Sequence, residues 1–218
     1  MHDIHCHILP GVDDGAQDIT ESVQMIRSAM RIGIRTITCT PHCRDPWFDY
    51  DAMQKAFCNL KQEVESIPQA PKLLMGFEVN YKKLMHLGLN WIDRLASETG
   101  IFLLELPTRE LPIDWERLVF EIQGKGYLVV IAHPERYKEV QEDIETAYRF
   151  VKAGCRIQIS SDFYFKNKRS AVYKTAKKLF EAELVHFIAS DAHAPSDYTT
   201  FYKAKKDFIA MGAHARLV

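Results

Sequence analysis

The sequence predicts an α/β fold in which parallel strands alternate with helices and close into a barrel one unit short of the eight-unit kind. Seven apolar segments rich in Ile, Val and Leu recur along the chain, and their starts are roughly 30 residues apart, the size of one βα unit. The segments show little polar alternation, which is typical of parallel strands covered on both faces. An open doubly wound sheet is the alternative, but the glycine-rich phosphate loop of such folds is missing.

The predicted strands are 3–6, 35–40, 72–79, 101–106, 127–132, 156–160 and 186–190. The predicted helices are 19–32, 51–66, 89–97, 114–123, 141–153, 170–182 and 198–211. Asp18 or Thr20 is expected to cap the first helix, and Gly33 is expected to end it. Because no Pro/Ser-rich linker divides the chain, residues 1–218 are predicted to form one domain.

The net charge is −1 at pH 7, which indicates neither nucleic acid nor an anionic membrane as a partner. No apolar run approaches the roughly 20 residues that a membrane span needs. The first candidate functional residues come within five residues of Met1, without the basic and apolar regions of a signal peptide. We therefore expect a cytoplasmic protein without membrane insertion, and the sequence leaves its oligomeric state open.

The five cysteines are odd in number and include no C-x-x-C pair, which argues against a disulfide framework and for a reducing compartment. Cys39 and Arg44 superficially resemble the phosphate loop of cysteine-dependent phosphatases, but they are five positions apart where that loop needs six. Cys39 and Cys155 are therefore expected to be small buried strand residues.

Candidate metal ligands follow six of the seven predicted strands. They are His5, His7, His42, Glu78, Glu105, His133, Asp191 and His193, with Asp14 or Asp13 from the first turn. Alternate strand residues share a face, so His5 and His7 project the same way. Because the carboxyl ends of barrel strands meet at one mouth, we expect all these side chains to converge. Glu78 and Glu105 end apolar runs, where an uncompensated carboxylate would cost on the order of several kcal/mol.

A set of imidazoles and carboxylates without thiolate suits manganese, iron or zinc better than a structural Cys-zinc site. Eight or nine ligands exceed what one ion uses, so the set predicts two or three ions, some bridged by a carboxylate. Clustered ions stabilise the attacking and leaving oxygens in phosphoryl transfer.

Taken together, these motifs resemble the PHP (polymerase and histidinol phosphatase) family. The resemblance rests on D-I-H-C-H at 3–7, T-P-H at 40–42, Glu78, Glu105, H-P-E-R-Y at 133–137 and A-S-D-A-H at 189–193. Within the family, the start D-I-H-x-H-I-L-P-G-V-D-D-G and L-V-H-F-I-A-S-D-A-H are most similar to the manganese-dependent protein-tyrosine phosphatases of bacterial capsule and exopolysaccharide operons.

The resemblance implies a distorted seven-stranded TIM-like (β/α)7 barrel, a trinuclear metal site with Mn²⁺ as the expected metal, and hydrolysis of phosphotyrosine on a partner tyrosine kinase. The implied metal ligands are His5, His7, Asp14, His42, Glu78, Glu105, His133, Asp191 and His193. Arg136 matches the arginine that holds substrate phosphate, while the ions activate water for attack on phosphorus. His42 or Asp191 is expected to assist the leaving group, with the choice left open.

One departure from the family concerns phosphate binding, because relatives usually carry a second arginine soon after the final D-x-H. Here Ala194-Pro195-Ser196-Asp197-Tyr198 has none, and Lys203 is not equivalent to arginine at phosphate. Three alternative functions remain open. They are a small-molecule phosphatase of the histidinol-phosphate type, an exonuclease-like enzyme, and a catalytically dead scaffold that metal ions stabilise. The neutral net charge disfavours the exonuclease-like enzyme.

Two further groups of residues, one basic and one aromatic, have either a structural role or a role at the site. The basic residues Lys166, Lys168, Arg169, Lys174, Lys177 and Lys178 form either a solvated helix face or a docking patch for an acidic segment. The aromatic residues Trp47, Phe48, Tyr50, Tyr164 and Phe165 either cover a bound phenyl ring or pack locally.

Overall fold

The computed structural model describes residues 1–210, with the backbone alone at Phe165 and residues 207–210. The strands are β1 His2–Cys6, β2 Thr36–Cys39, β3 His42–Cys43, β4 Lys72–Met75, β5 Glu78–Asn80, β6 Ile101–Glu105, β7 Leu128–Ala132, β8 Arg156–Ser160 and β9 Phe187–Ala189. The α-helices are α1 Ile19–Arg31, α2 Tyr50–Glu65, α3 Tyr81–Leu87, α4 Ile92–Leu95, α5 Trp115–Gly124, α6 Lys138–Glu142, α7 Glu145–Lys152, α8 Ala171–Glu181 and α9 Asp197–Ala210. Short 3-10 helices cover Leu89–Trp91, Pro134–Arg136 and Ser161–Phe165.

Every strand pair is parallel, in two sheets of order β1-β2-β4 and β3-β5-β6-β7-β8-β9. The predicted strand 35–40 stops before Pro41, which lacks a backbone donor, and the chain resumes as β3. The predicted strand 72–79 is likewise interrupted at Gly76-Phe77. The α/β class and the curled parallel sheet are therefore confirmed, whereas the count of seven strands is not.

The first strand meets the segment that follows the last one. Cys6 forms a parallel bridge with Ala192. Asp3 is fully buried and accepts hydrogen bonds from Ser190, at 3.0 Å from the backbone N and 2.6 Å from Oγ. These contacts bring the carboxyl ends of β1 and β9 together and curl the sheet around the residues that they carry.

Several helices differ from their predicted bounds. The predicted helix 89–97 is helical only over residues 89–95, as a 3-10 turn followed by the short α4. The helix α3, which ends at Gly88 with a φ of 92°, was not predicted. The predicted helix 141–153 is two helices, since Asp143 breaks the first and accepts a hydrogen bond from the N of Glu145 at 3.0 Å. Asp18 caps α1 as predicted. Residue 211, the end of the last predicted helix, lies outside the described residues.

Two buried apolar layers support the curled sheet. A small inner cluster contains Ile4, Leu103, Val130, Ala132, Phe187 and Ala189. A much larger cluster lies between the strands and the helices and includes Cys6, which faces away from the histidines as predicted. Within residues 1–210, no helix is both long and apolar enough to cross a membrane. The prediction of one domain over 1–218 stays a prediction.

Candidate metal centre

The strand ends bring the predicted imidazoles and carboxylates into one buried cluster. His5 and His7 are fully buried, and Glu78, His133 and His42 are each no more than 4% exposed. Their ring spacings are short, with centroids 5.3 Å apart for His5 and His7, and 4.2 Å apart for His7 and His42. Residues separated by more than a hundred positions in the sequence therefore share one buried polar cluster at the carboxyl ends of the strands.

Glu78 is the centre of this cluster. Its carboxylate lies 2.6 Å from Nε2 of His133 and 2.5 Å from Nδ1 of His42. The Nε2 atoms of His5 and His7 lie 3.7 and 3.6 Å from Oε2 of Glu78. One carboxylate facing four imidazoles has the geometry expected of a group that bridges cations.

The second acid, Asp191, faces the same pair of histidines from the other side. Its Oδ1 lies 3.3 Å from Nε2 of His5 and 3.4 Å from Nε2 of His7. Three overlapping groups result, each with its candidate ligand atoms within 4.8 Å of one another. They are His7, Asp14, His42 and His193; His5, His7 and Asp191; and His5, Glu78 and His133.

Glu105 is the predicted ligand that joins none of these groups. It is 8% exposed, and its Oε2 accepts a hydrogen bond from Asn80 Nδ2 at 3.0 Å. Its Oε1 lies 3.4 Å from Nη1 of Arg44. The structure therefore places Glu105 at the edge of the cluster, and its role as a ligand stays a prediction.

The buried histidines are oriented by partners on their outer nitrogens. His7 Nδ1 lies 2.8 Å from Oδ2 of Asp13, and His5 Nδ1 lies 3.0 Å from Oε1 of Gln158. Such partners fix the tautomer and aim the other nitrogen at the site. Asp13 thus orients His7, whereas Asp14 approaches His42 and belongs to the candidate ligands.

Two strand-end residues adopt left-handed backbone conformations that are rare outside glycine. His133 has a φ of 33° and Asp191 a φ of 50°. Conformations of this kind cost about 1–3 kcal/mol each and concentrate at functional sites. Here they turn both side chains from the ends of β7 and β9 toward the cluster.

Arg136 lies beside the cluster, on the 3-10 turn after His133. Its Nη2 lies 2.5 Å from Oδ2 of Asp191 and donates a hydrogen bond to Ser160 Oγ at 3.0 Å. The side chain of Arg136 remains 30% exposed. The guanidinium is therefore anchored by one edge and accessible to a ligand at the mouth.

The acids of the cluster are held ionised. Burial opposes ionisation of Glu78, but His5, His133 and His42 outweigh it and keep the pKa of Glu78 well below its ordinary value. Burial likewise opposes ionisation of Asp191, and His5 and Arg136 hold its pKa well below the usual range. Both groups are thus in the form that binds cations.

Some contributors to the site were not predicted. Strand six was expected to offer no ligand, yet its Gln158 and Ser160 contact His5 and Asp191. The sequence associated Arg44 only with a phosphate loop at Cys39. In the structure, Nη2 of Arg44 lies 2.8 Å from Nε2 of His42. Cys39 is fully buried and burial raises its thiol pKa far above the ordinary value, which supports the rejection of a cysteine nucleophile.

Of the aromatic residues, Trp47 borders the site and two others pack locally, while the role of covering a bound phenyl ring stays a prediction. Trp47 stacks on His42, with centroids 5.4 Å apart, and so borders the site. Phe48 and Tyr50 pack against Phe77 and Trp91, away from the candidate ligands.

Gly15 fixes the turn that carries the first-turn acids. A Cβ at this position would lie 2.5 Å from Cβ of His7 and closer still to the His7 carbonyl. We expect Gly15→Ala to lower the free energy of unfolding by about 2–3 kcal/mol, because the backbone on both sides must move. Chemical denaturation measures the change. Gly124→Ala is the control, since its added Cβ meets nothing within 4 Å, and a similar loss in both variants would contradict the steric cause.

Glu135 is a buried acid beside the site. Its Oε1 accepts the N–H of Ser160 at 3.0 Å, and burial raises its pKa from 4.5 to about 8. The folded protein therefore keeps a proton that the unfolded chain releases, so this residue's contribution to stability is complete below pH 4.5 and is lost as pH rises toward 8. Glu135→Gln cannot ionise.

We expect the stability of Glu135→Gln, relative to the unsubstituted chain, to increase with pH across this window by up to about 1.4 kcal/mol per pH unit. Denaturation curves at pH 5, 6.5 and 8 provide the comparison. Parallel pH dependences for the two proteins would show that Glu135 is ionised in the folded state.

The cluster itself supports divalent cations. Within the part of the chain that the structure describes, Nδ1 of His133 is buried without a hydrogen-bond partner, and Oε2 of Glu78 and Nδ1 of His42 face each other at 2.5 Å without hydrogen-bond geometry. Nε2 of His5 also faces Nε2 of His7 at 3.3 Å. Lone pairs that converge without donors are satisfied by cations, and the N/O donors suit first-row metals. A parallel α/β fold with such a centre and an adjacent arginine has the features of a metal-dependent hydrolase.

Comparison with known proteins gives the family. Residues 1–206 match the family described as capsular polysaccharide synthesis, CpsB/CapC. The tyrosine-protein phosphatase YwqE of Bacillus subtilis (strain 168) is 37% identical over 203 residues, covering 88% of this chain and 77% of YwqE. The tyrosine-protein phosphatase CpsB of Streptococcus agalactiae serotype III (strain NEM316) is 33% identical over 202 residues, covering 88% of this chain and 83% of CpsB. The chain belongs to the CpsB/CapC family.

A solved structure agrees with this assignment. It comes from the crystal structures of YwqE from Bacillus subtilis and CpsB from Streptococcus pneumoniae, described as unique metal-dependent tyrosine phosphatases. It matches with a TM-score of 0.84 and 33% identity, over 97% of this chain and 87% of that one. The resemblance to capsule-operon tyrosine phosphatases is thereby confirmed.

Proposed function

We propose that this protein is a metal-dependent phosphatase that hydrolyses phosphotyrosine on a bacterial tyrosine autokinase of capsule or exopolysaccharide synthesis. The observation that carries the proposal is the buried carboxylate of Glu78 among four imidazoles, next to an exposed edge of Arg136. The named relatives are tyrosine-protein phosphatases, and the solved structure is described as metal-dependent, which supports the same chemistry.

We assign two or three Mn²⁺ ions to the cluster, with iron and zinc as the alternatives that N/O ligands also suit. Three overlapping candidate groups support more than one ion. When bound, such ions acidify water and neutralise charge on phosphate oxygens. His5, His7, Asp14, His42, Glu78, His133, Asp191 and His193 would hold them, with Glu105 at the edge.

The chain's own residues would bind and orient the substrate. Arg136, anchored on Asp191 and Ser160, offers its exposed edge to the non-bridging phosphate oxygens. The phenol leaving group has a pKa of about 10, so it needs little help from a proton donor. His42 or Asp191 would assist the leaving oxygen, with the choice left open.

The cysteines support the assignment of a cellular compartment. All five are free thiols, and four of them are buried. Reducing compartments preserve such thiols, so we assign the enzyme to the cytoplasm. A tyrosine autokinase with its phosphorylated segment exposed to the cytoplasm is the partner that this location suits.

Substrate competition tests the proposal. The Mn²⁺-loaded protein should hydrolyse a phosphotyrosine peptide with a higher kcat/KM than histidinol phosphate, since a phenolate leaves more readily than an alkoxide. A preference for histidinol phosphate would instead indicate the small-molecule phosphatase. Failure to hydrolyse either compound, with the metal bound, would indicate the inactive scaffold.

A further inference from the structure

A carboxylate lies between two cations on the wall of the cavity beside the metal centre. Oδ1 of Asp162 lies 3.3 Å from Nη2 of Arg136, and its Oδ2 lies 3.2 Å from Nζ of Lys166. The three side chains line one cavity of about 680 Å³, which also borders Asp191 and His193. This cavity therefore lies next to the candidate metal centre and contains two basic side chains, Arg136 and Lys166, that both contact the carboxylate of Asp162.

We propose that Lys166 is a second phosphate-binding cation of this site, and that Asp162 occupies the phosphate position between Lys166 and Arg136 until the substrate displaces it. The inference rests on the proposed phosphatase activity. It assigns Lys166 to phosphate recognition and Asp162 to an internal competitor of phosphate.

The bridge that Asp162 forms is weak enough to be displaced. Asp162 is 36% exposed and Lys166 51% exposed, so solvent screens their ion pair. Oδ1 of Asp162 is close to Arg136 but makes no hydrogen bond to it among the described residues. A phosphate monoester brings nearly two negative charges and three acceptor oxygens, so it satisfies both cations better than a single carboxylate does.

Among the described residues that line the cavity, Arg136 and Lys166 are the only arginine and lysine, and the one imidazole, that of His193, belongs to the candidate metal ligands. The segment after His193 contributes Asp197, whose Oδ2 accepts the N–H groups of His193 and Ala194 at 2.9 Å. Arg44 contacts Asp14 and Glu105 and is not among the lining residues. Lys166 thus supplies the second positive charge of this cavity, beside that of Arg136.

The cavity also has room and an apolar surface for the rest of the substrate. Val172, in the first turn of α8, lines it together with Thr200 of α9. A volume of about 680 Å³ is within the range of small-molecule sites, roughly 300–1,000 Å³. A phosphotyrosine ring can therefore rest on Val172 while its phosphate lies between Arg136 and Lys166.

Binding of inorganic phosphate to the Mn²⁺-loaded full chain tests the proposal by calorimetry, with phosphotyrosine peptide kinetics in parallel. Lys166→Ala should raise the Kd of phosphate and the KM of the peptide roughly fivefold, with kcat changed less than twofold. Asp162→Asn should lower the Kd of phosphate roughly fivefold, because both cations are then unneutralised. Lys166→Arg should retain affinity, and Lys174→Ala, exposed on α8 and outside the cavity, is the matched control.

An unchanged phosphate Kd in Lys166→Ala, or one equal to that of Lys174→Ala, would overturn the assignment of Lys166. Weaker phosphate binding in Asp162→Asn would show that Asp162 positions Arg136 instead of competing with phosphate. Asp162→Ala also removes the carboxylate and should lower the Kd of phosphate in the same way, and an unchanged or higher Kd in either Asp162 variant would overturn the role of Asp162 as a competitor. Absence of phosphotyrosine turnover by the unsubstituted protein would count against the proposed function, and calorimetry reports on the phosphate site independently.

Discussion

Glu78→Gln is expected to abolish metal binding at the centre and to lower kcat/KM for a phosphotyrosine peptide at least a hundredfold. Glu78 contacts His5, His7, His42 and His133 through one carboxylate. Each of the three candidate groups contains at least one of these histidines, so the loss of the carboxylate removes a negative charge beside all three. Substitutions of groups that merely orient metal ligands already cost about 10–100-fold in affinity or activity. Metal content per chain and kinetics on the same sample measure both effects.

Glu65→Gln is the control, because Glu65 is exposed at the end of α2 and removed from the cluster. Circular dichroism of both variants establishes that they are folded. Full metal content in Glu78→Gln would contradict the central position of this carboxylate. Full metal content with lost turnover would instead make Glu78 a group that acts on the substrate alone.

Arg136→Ala is expected to lower kcat/KM about 10–100-fold while metal content is retained, the size of a charge-assisted hydrogen bond to phosphate. The guanidinium is anchored on Asp191 and Ser160 but leaves 30% of its side chain exposed to a ligand. Arg136→Lys should recover only part of the loss, because an ammonium cannot contact phosphate and Asp191 in the same planar geometry.

Arg149→Ala provides a matched control, since Arg149 forms an exposed ion pair with Glu116 on the outer helices. Unchanged kinetics in Arg136→Ala would remove this residue from the site. Loss of metal together with activity would show that Arg136 acts by holding Asp191, and not by binding phosphate.

The sequence predicted the parts of the fold that depend on neighbouring residues, such as apolar strands and helix ends. The apolar runs identified each parallel strand region, and Asp18 and Gly33 bounded α1. The separate strand β3 after Pro41 and the break at Gly76 escaped prediction because they depend on how the sheet curls, which the composition of a single strand does not encode. The helix α3 was missed because it is seven residues long and depends on Asn80, whose side chain caps it through the N–H groups of Lys82 and Lys83.

The sequence predicted those site residues whose side chains can bind metal and which lie on or directly after a predicted strand. His5 and His7 alternate on one strand, and Glu78 follows an apolar run, so both patterns pointed to the barrel mouth. Gln158 and Arg44 escaped because their roles depend on partners 153 and 61 positions away, His5 and Glu105. A glutamine inside an apolar strand was the signal that could have identified Gln158.

Metal content and phosphotyrosine turnover, measured together on one sample before and after chelation, test the central claim most directly. The protein should contain two or three divalent ions per chain, lose its activity as EDTA removes them, and regain it with Mn²⁺. Phosphotyrosine hydrolysis that persists after the metal has been removed completely would contradict the account.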